Sequence, residues 1–176
     1  MMKGTIMKIY IFLLLSTSFL FAENTSSYHS IDIEKNCKVT EVYEANMGGS
    51  LSCGNYHGMK VSIADDDLRM NLYLTRNKKE HNLGIWNLFH GFTELGKVIE
   101  FRHPKGKPDK PYAMIFRLHV QEYRNDKSVN VSYLIVAKMT PERICVVGKI
   151  KPQKNQNLLT RKMADKARSI PCLFEL

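Results

Sequence analysis

The sequence predicts an α+β domain: an antiparallel β-sheet of about six or seven strands, a C-terminal α-helix packed on one face, and two disulfides. Three observations predict this architecture. Residues 112–123 and 144–150 alternate apolar and polar side chains, as half-buried strands do, and residues 131–137 are apolar on both faces, as in a central strand. An amphipathic segment lies near the C-terminus, and four cysteines are spread along the chain.

The first 22 residues have the pattern of a secretory signal peptide. Lys3 and Lys8 precede an apolar run over residues 9–15, and Ala22 supplies a small residue at the expected cleavage point. The run is shorter than the roughly 18 apolar residues of a membrane-spanning helix. We therefore expect export through the general secretory pathway to a periplasmic or extracellular location, with no transmembrane segment after cleavage. An uncleaved membrane anchor is the alternative.

The net charge is positive, and the length is that of one domain. The chain has 26 Lys and Arg against 17 Asp and Glu; without Lys3 and Lys8 this leaves 24 against 17, a formal +7. Such a balance is compatible with an anionic surface as a partner, but solubility is the simpler explanation. We expect a disordered lead-in over residues 23–35 and a single domain over residues 36–176.

The four cysteines indicate disulfides, because an even number in an exported protein is typical of covalent bridges. Three connectivities are possible for four cysteines. Pairing neighbours in sequence gives Cys37–Cys53 and Cys145–Cys172. None of the spacings matches a CxxC motif or a zinc-ligand pattern, so the cysteines are interpreted as structural.

The remaining elements follow from local patterns. Short alternating segments predict strands, acidic or charged segments predict turns between them, and an aromatic segment with intervals of three predicts one helical turn. The strands are predicted at 38–43, 51–56, 59–64, 68–74 and 98–102, the turns at 65–67 and 76–82, and the helical turn within 84–92.

A stiff basic loop and a terminal helix complete the domain. Residues 103–111 (HPKGKPDKP) contain three prolines and three lysines, which favours an exposed loop. Asn155 or Asn157 is a predicted cap for a helix that runs to about Ser169 before Pro171. Its apolar stripe is predicted to comprise Leu158, Leu159, Met163, Ala164, Ala167 and Ile170.

Several short motifs occur in the last two thirds of the mature chain. They are DLR at 67–69, LG at 95–96, IEFR at 99–102, GKP at 106–108, AMIFR at 113–117, Cys145, and ADKA at 164–167 before Cys172. In these motifs the chain resembles an uncharacterised family of small exported proteins from alpha-class proteobacteria. Phe101 and Leu118 replace expected tryptophans, and Asp109-Lys110 is an insertion. The family has no assigned activity, so the resemblance implies export and a Cys145–Cys172 bridge, and nothing catalytic.

No motif predicts catalysis, a metal site or a cofactor. The sequence lacks the GxSxG, SxxK, HExxH, GxGxxG and P-loop patterns, and its six histidines are scattered. The acidic run 65–67 lacks the glycine and distal glutamate of an EF-hand, so a solvated turn is the simpler interpretation than a calcium site. Glu100 and Arg117 are predicted to form a cross-strand ion pair with Arg102 rather than a reactive site.

Two surfaces are candidate binding sites. A basic surface for an anionic partner comprises Lys97, Arg102, Lys105, Lys107 and Lys110. An aromatic surface for a protein partner comprises Trp86, Phe89 and Phe92, for which core burial is the alternative. Specific nucleic-acid binding is not expected.

The leading functional hypothesis is a non-enzymatic exported interaction protein. The lysine- and asparagine-rich composition is typical of host-associated bacteria, which suggests a host-directed effector. One alternative is an inhibitor of a secreted hydrolase, of protease or lysozyme type, that inserts its basic loop into an acidic cleft. Another is a hydrolase with a dispersed active site, which would show a cleft lined by convergent carboxylates or histidines.

Overall fold

The structure is a computed structural model that describes residues 24–44 and 47–174, so the predicted signal peptide over residues 1–22 lies outside the described part. The described residues form ten strands and three short α-helices, followed by a 3-10 turn at Ala167–Ser169. In chain order the elements are β1 Asn24–Ser30, α1 Ile33–Asn36, β2 Lys38–Val42, β3 Gly48–Tyr56, β4 Met59–Asp66, β5 Arg69–Arg76, β6 Lys79–Asn82, α2 Ile85–Leu88, β7 Thr93–Pro104, β8 Ala113–Arg124, β9 Lys127–Met139, β10 Ile144–Ile150 and α3 Gln156–Ala164.

The ten strands belong to one mixed sheet. Its order is β10-β9-β8-β7-β5-β4-β3-β2, with β1 paired to β7 and β6 paired to β5. The described pairs are antiparallel except for one parallel bridge, Arg69 with Thr93, between β5 and β7. The predicted α+β class with a C-terminal helix is confirmed. The prediction of six or seven antiparallel strands is wrong, because two polar segments add strands and β7 makes a parallel contact.

The first added strand is β1, which lies where the sequence predicts a disordered lead-in. It pairs with β7 over seven residues, from Asn24 opposite Pro104 to Ser30 opposite Val98. Its hydroxyl groups bind polar side chains of β7, and the Ser26 hydroxyl donates to Glu100 Oε1 at 2.6 Å. The lead-in prediction is therefore wrong for this segment, because a polar strand can be held by backbone pairing and side-chain hydrogen bonds.

The second added strand is β6, within a segment predicted as a charged loop. Asn77 and Lys78 both have positive φ, 52° and 64°, which is the geometry of a tight two-residue hairpin turn. His81 of β6 is buried, and its Nδ1 accepts a hydrogen bond from the Ile144 N–H of β10 at 3.3 Å. Burial lowers the His81 pKa, and the charges of Arg76 and Lys79 lower it further. The contact between β6 and β10 shows that the sheet curls back on itself.

The curled sheet encloses the main hydrophobic core. In β8 the apolar members of the predicted alternation are all buried; they are Met114, Phe116, Leu118 and Val120. From the other half of the sheet, Tyr56 of β3 stacks on Phe101 of β7 with ring centroids 3.9 Å apart. A large side chain buried in this way contributes about 1.5–3 kcal/mol relative to its exposed state. The core therefore joins strands from both halves of the chain.

The C-terminal helix covers the outer face of β8–β10. Ala164 and Ala167 are fully buried there and belong to a second cluster with Leu134 and Val147. Gly148 lies under Met163, and a Cβ at that glycine would overlap the Met163 sulfur. This close approach brings the helix onto the sheet.

The apolar stripe of the helix is only partly as predicted. Leu158 and Leu159 are exposed, at 52% and 40%, whereas Thr160 is fully buried. Thr160 donates its hydroxyl hydrogen to the Gln156 carbonyl at 2.7 Å, which satisfies its polar group. Asn155 occupies the predicted N-cap position, but its side chain makes no capping hydrogen bond.

Each of the two disulfides links two cysteines that are consecutive among the four along the chain, as predicted. Cys37 bonds to Cys53 and ties the segment before β2 to β3. Cys145 bonds to Cys172 and ties β10 to the chain just beyond the terminal helix. No helix in the described residues has the length and apolar character needed to span a bilayer.

Candidate functional site

A cleft of about 600 Å³ opens where the β4–β5 turn approaches the start of β7 and the distal part of the β8–β9 hairpin. Backbone hydrogen bonds fix its walls. The Thr93 N–H donates to the Leu68 carbonyl at 3.0 Å, and the Gln121 N–H donates to the Phe92 carbonyl at 3.0 Å. The Thr93 hydroxyl also donates to the Met70 carbonyl at 3.3 Å. Five strands, the β4–β5 turn and the residue before β7 therefore meet at this cleft.

The polar lining of the cleft includes two carboxylates and a histidine from three strands. Asp65 lies on β4, opposite Met70 of β5. Glu94 of β7 lies directly opposite His119 of β8. Gln121, Ser128 and Asn130 contribute amide and hydroxyl groups. The cleft is therefore built by strand register, which brings together groups up to about 65 residues apart in the chain.

Asp65 is the most unusual of these groups. Its Oδ1 is buried and has no hydrogen-bond partner among the described residues. Burial raises the pKa of this carboxyl, and the neighbouring charge of Asp66 raises it further. A buried carboxylate oxygen without a donor is costly to folding. The residue as a whole is half-buried and lines the cleft, so its carboxyl group is within reach of a ligand there.

Two glycines allow the cleft walls to approach closely. Gly48 has φ +148°, and a Cβ there would overlap the Asp65 carbonyl oxygen. Gly91, just before Phe92, lies against the Gln121 carbonyl oxygen, where a Cβ would also overlap. Side chains at either position would push β3 from β4 or the Phe92 segment from β8.

The rim of the cleft is apolar and exposed. Leu68 sits in the β4–β5 turn with φ 60° and is 65% exposed. Phe92 is 41% exposed at the start of β7. Met70 lies deeper and is half-buried. Exposed apolar side chains beside buried polar groups are typical of binding sites.

Of the predicted aromatic surface, only Phe92 belongs to this rim. Trp86 is half-buried and donates its indole N–H to the Arg69 carbonyl at 2.8 Å. Phe89 is buried against Tyr133, with ring centroids 4.7 Å apart, and the Lys149 ammonium lies 4.4 Å from its ring centroid. The three aromatic side chains therefore do not form one exposed surface, because two of them pack inside the fold.

The predicted basic surface is also divided. Arg102 is buried and hydrogen-bonded to Asp165, so it does not belong to an exposed patch. Lys97 is exposed and pairs with Asp32 at 3.2 Å. It lies about 20 Å along β7 from the loop, at about 3.3 Å per residue. Lys105, Lys107 and Lys110 are exposed together in the loop between β7 and β8.

The lysine loop is folded as two successive turns. The Lys107 N–H donates to the Pro104 carbonyl and the Lys110 N–H to the Lys107 carbonyl, both at 3.0 Å. The Tyr56 hydroxyl donates to the Pro108 carbonyl at 3.1 Å and attaches the loop to β3. This fixed geometry holds three lysines at the opposite end of β7 from the cleft.

Anion binding by this loop is testable by retention on heparin. If the loop is an anion site, replacing Lys105, Lys107 and Lys110 with alanine is expected to lower the eluting salt concentration clearly, because three clustered contacts release counterions together. The control replaces Lys60, Lys127 and Lys154, three exposed lysines from separate parts of the fold, with alanine. Equal reductions in the two variants would show that only net charge matters.

Of the predicted ion-pair partners of Glu100, Arg102 lies 4.0 Å away, but Arg117 is replaced by Arg161. The Arg161 guanidinium of α3 donates to both carboxylate oxygens of Glu100, at 2.7 and 3.0 Å. Burial opposes the charge on Glu100, but hydrogen bonds from Arg161 and Ser26 outweigh it and hold its pKa below the usual range. Arg117 instead donates to the Ser132 hydroxyl at 2.6 Å. The predicted pairing of Glu100 with Arg117 across β7 and β8 is therefore wrong, because Arg161 of the terminal helix donates to Glu100 instead.

The cleft contains no assembled nucleophile and base within the described residues. The His119 ring makes no hydrogen bond there to Glu94 or to Ser128, and the Ser128 hydroxyl accepts instead from the Gln121 amide at 2.5 Å. No group of three or more His, Cys, Asp or Glu side chains in residues 24–44 and 47–174 is arranged to hold a metal ion. The arrangement offers hydrogen-bond acceptors and an apolar rim.

Sequence reasoning did not find the cleft as a unit. Asp65 lies in a predicted turn, and neither Glu94 nor His119 belongs to a predicted site. The strand periodicity does indicate that Asp65 points inward, because Asp65 follows the buried residues Val61 and Ile63 at intervals of two along β4. The proximity of Glu94 and His119 follows only from the register of β7 and β8. No protein-family model, curated protein or solved structure matches this chain.

Proposed function

We propose that this chain is an exported, non-enzymatic binding protein that recognises its partner at the cleft between the β4–β5 turn and the start of β7. The observation that carries the proposal is the combination of an exposed apolar rim, Leu68 and Phe92, with a buried Asp65 oxygen that has no donor in the described fold. A ligand that fills the cleft would cover the rim and pair with the Asp65 carboxyl group, which lines the cleft.

One further feature supports a binding role, and two support export. The walls of the cleft are strands joined by backbone hydrogen bonds, so the site is largely preformed, which lowers the cost of ordering it on binding. The two disulfides are compatible with an oxidising compartment outside the cytoplasm. The leader pattern over residues 1–22 favours export, and a host-directed effector role follows only if the partner comes from the host.

A second candidate function is hydrolysis at the same cleft. Two carboxylates, one with a raised pKa, are what glycoside hydrolysis uses for its acid and its base or nucleophile. Asp65 would be the acid and Glu94 the second carboxylate. Binding is favoured over hydrolysis because the exposed apolar rim of Leu68 and Phe92 accounts for recognition of a partner, whereas hydrolysis does not require it. Release of reducing sugar by the wild type, lost in Asp65→Asn, would favour hydrolysis instead.

The binding proposal is tested by affinity capture from periplasmic extract and from host extract. The cleft variant Leu68→Ser/Phe92→Ser is expected to lose at least about nine tenths of any partner that the wild type retains, since central apolar contacts dominate interface energies. Both substitutions fall on exposed side chains, so the fold is expected to survive, and the melting temperature checks this.

The matched control is Leu158→Ser/Leu159→Ser on α3. These two leucines are exposed to similar extents, 52% and 40% against 65% and 41% for Leu68 and Phe92. The control should retain the partner as the wild type does. A partner that is lost equally from both variants, or kept by the cleft variant, would contradict the proposed site.

A further inference from the structure

Resting on the proposed function, we infer that the cleft takes a lysine or arginine side chain of a partner polypeptide, with its charged end at Asp65 and Glu94 and its aliphatic stem along Leu68 and Phe92. The cleft differs in charge from the rest of the molecule. Three independent features of the cleft favour a basic side chain as its occupant.

The first feature is charge complementarity. The chain as a whole has a formal net charge of +9, yet no lysine or arginine is among the described residues that line this cleft. Its ionisable lining consists of Asp65, Glu94 and His119. An anionic recess in a basic protein repels anionic ligands and attracts cations, and such complementarity selects partners.

The second feature is the unsatisfied acceptor. Asp65 Oδ1 is buried without a donor in the described fold, while the residue as a whole is only half-buried and lines the cleft. An ammonium or guanidinium N–H at this carboxyl group therefore forms a charge-assisted hydrogen bond and offsets a desolvation cost already present in the free protein. A neutral apolar ligand would cover the same rim and leave this oxygen unpaired. The site therefore discriminates in favour of a cationic donor.

The third feature is the arrangement of apolar groups around the acidic centre. Leu68 and Phe92 stand exposed at the rim, and Met70 lines the deeper wall. Lysine and arginine side chains bind such surfaces with their methylene stems while their charged ends reach a polar group. A small hydrated metal ion would make no use of this rim, whereas a long basic side chain uses both parts of the cleft.

The experiment is an NMR titration of the ¹⁵N-labelled protein with two peptides. The first is the N-acetylated, C-amidated heptapeptide Gly-Ala-Leu-Lys-Leu-Ala-Gly, and the second carries norleucine in place of the lysine. We expect the lysine peptide to bind at least about fivefold more tightly than the norleucine peptide, because each charge-assisted hydrogen bond exceeds a neutral one. The amide signals of Leu68, Phe92 and Glu94 should move.

The cleft variant for this test is Asp65→Asn/Glu94→Gln, which preserves side-chain shape and removes both charges. It is expected to bind the two peptides equally. The charge-matched control, Glu80→Gln/Asp109→Asn, changes two exposed carboxylates outside the cleft and should keep the preference. Because Asp65→Asn removes a desolvated charge, thermal denaturation should show the cleft variant to be at least as stable as the wild type.

Three results would overturn the inference: equal affinity for the two peptides, no binding of either at millimolar concentration, or a lysine preference that survives in the cleft variant. The two experiments distinguish a wrong ligand class from a wrong binding site. If a captured partner still depends on Leu68 and Phe92 while the lysine preference is absent, the cleft is a binding site for a different chemistry.

Discussion

Replacing Arg102 with alanine is expected to lower the free energy of unfolding by about 3 kcal/mol, the lower end of the range for removing one partner of a buried ion pair. The Arg102 side chain is only 8% exposed and donates to Asp165 from Nε at 3.0 Å and from Nη2 at 2.8 Å. Its Nη1 donates to the Ser26 hydroxyl at 2.7 Å. Asp165 is 31% exposed, so water replaces part of what is lost.

The loss should affect three elements at once. Arg102 on β7 joins Ser26 of β1 to Asp165 at the end of α3, and Asp165 also accepts from the Tyr112 hydroxyl at 2.8 Å. Burial, followed by the interaction with Asp165, raises the pKa of Tyr112. Without Arg102 the Asp165 carboxylate loses its cation while it remains partly buried, so both β1 and α3 are expected to loosen.

Urea denaturation measures this effect, with the fluorescence of the single tryptophan, Trp86, as the probe. The matched control is Arg124→Ala, because Arg124 also pairs with a carboxylate, Glu122 at 2.7 Å, but its side chain is 53% exposed. Exposed pairs add little to stability, so the control should unfold at nearly the wild-type midpoint. Equal shifts in the two variants would refute the structural role of Arg102.

The double substitution Cys145→Ser/Cys172→Ser is expected to cost about 3.5 kcal/mol on the loop-entropy model, for a separation of 27 residues. The bond attaches the chain beyond α3 to β10, and the Leu173 N–H donates to the Val146 carbonyl at 2.9 Å beside it. Loss of the bond should therefore loosen the helix before the sheet.

Hydrogen exchange checks this order of events. In the double variant, amides of α3 should exchange faster than those of β8 and β9, while Cys37→Ser/Cys53→Ser should leave α3 protected and cost about 3 kcal/mol. Uniform acceleration across the sheet and the helix, or no loss of stability, would contradict the assigned role of the C-terminal bridge.

Much of the fold was predictable because apolar patterns mark buried strands. The alternation in β8 and the apolar run in β9 identified two interior strands of the sheet, and each disulfide joins two cysteines that are consecutive among the four along the chain. The polar strands β1 and β6 have no such pattern. Their backbone groups pair with β7 and β5, and that pairing depends on neighbours that a local window does not contain.

The functional surfaces were less predictable for the same physical reason. A basic side chain such as Arg102 looks exposed in sequence, but Asp165, 63 residues later, makes its burial possible. Trp86 and Phe89 fit either a core or a surface until their partners are known. The cleft depends on a parallel contact between β5 and β7 at one residue pair, Arg69 with Thr93, which no periodicity indicates.

The most direct test of the binding account is the dissociation constant of the captured partner for three forms of the protein. These are the wild type, Leu68→Ser/Phe92→Ser, and the alanine variant of Lys105, Lys107 and Lys110. The account predicts a rise of at least about tenfold for the cleft variant and less than about twofold for the loop variant. A tenfold rise confined to the loop variant would place recognition at the lysine loop and contradict the account.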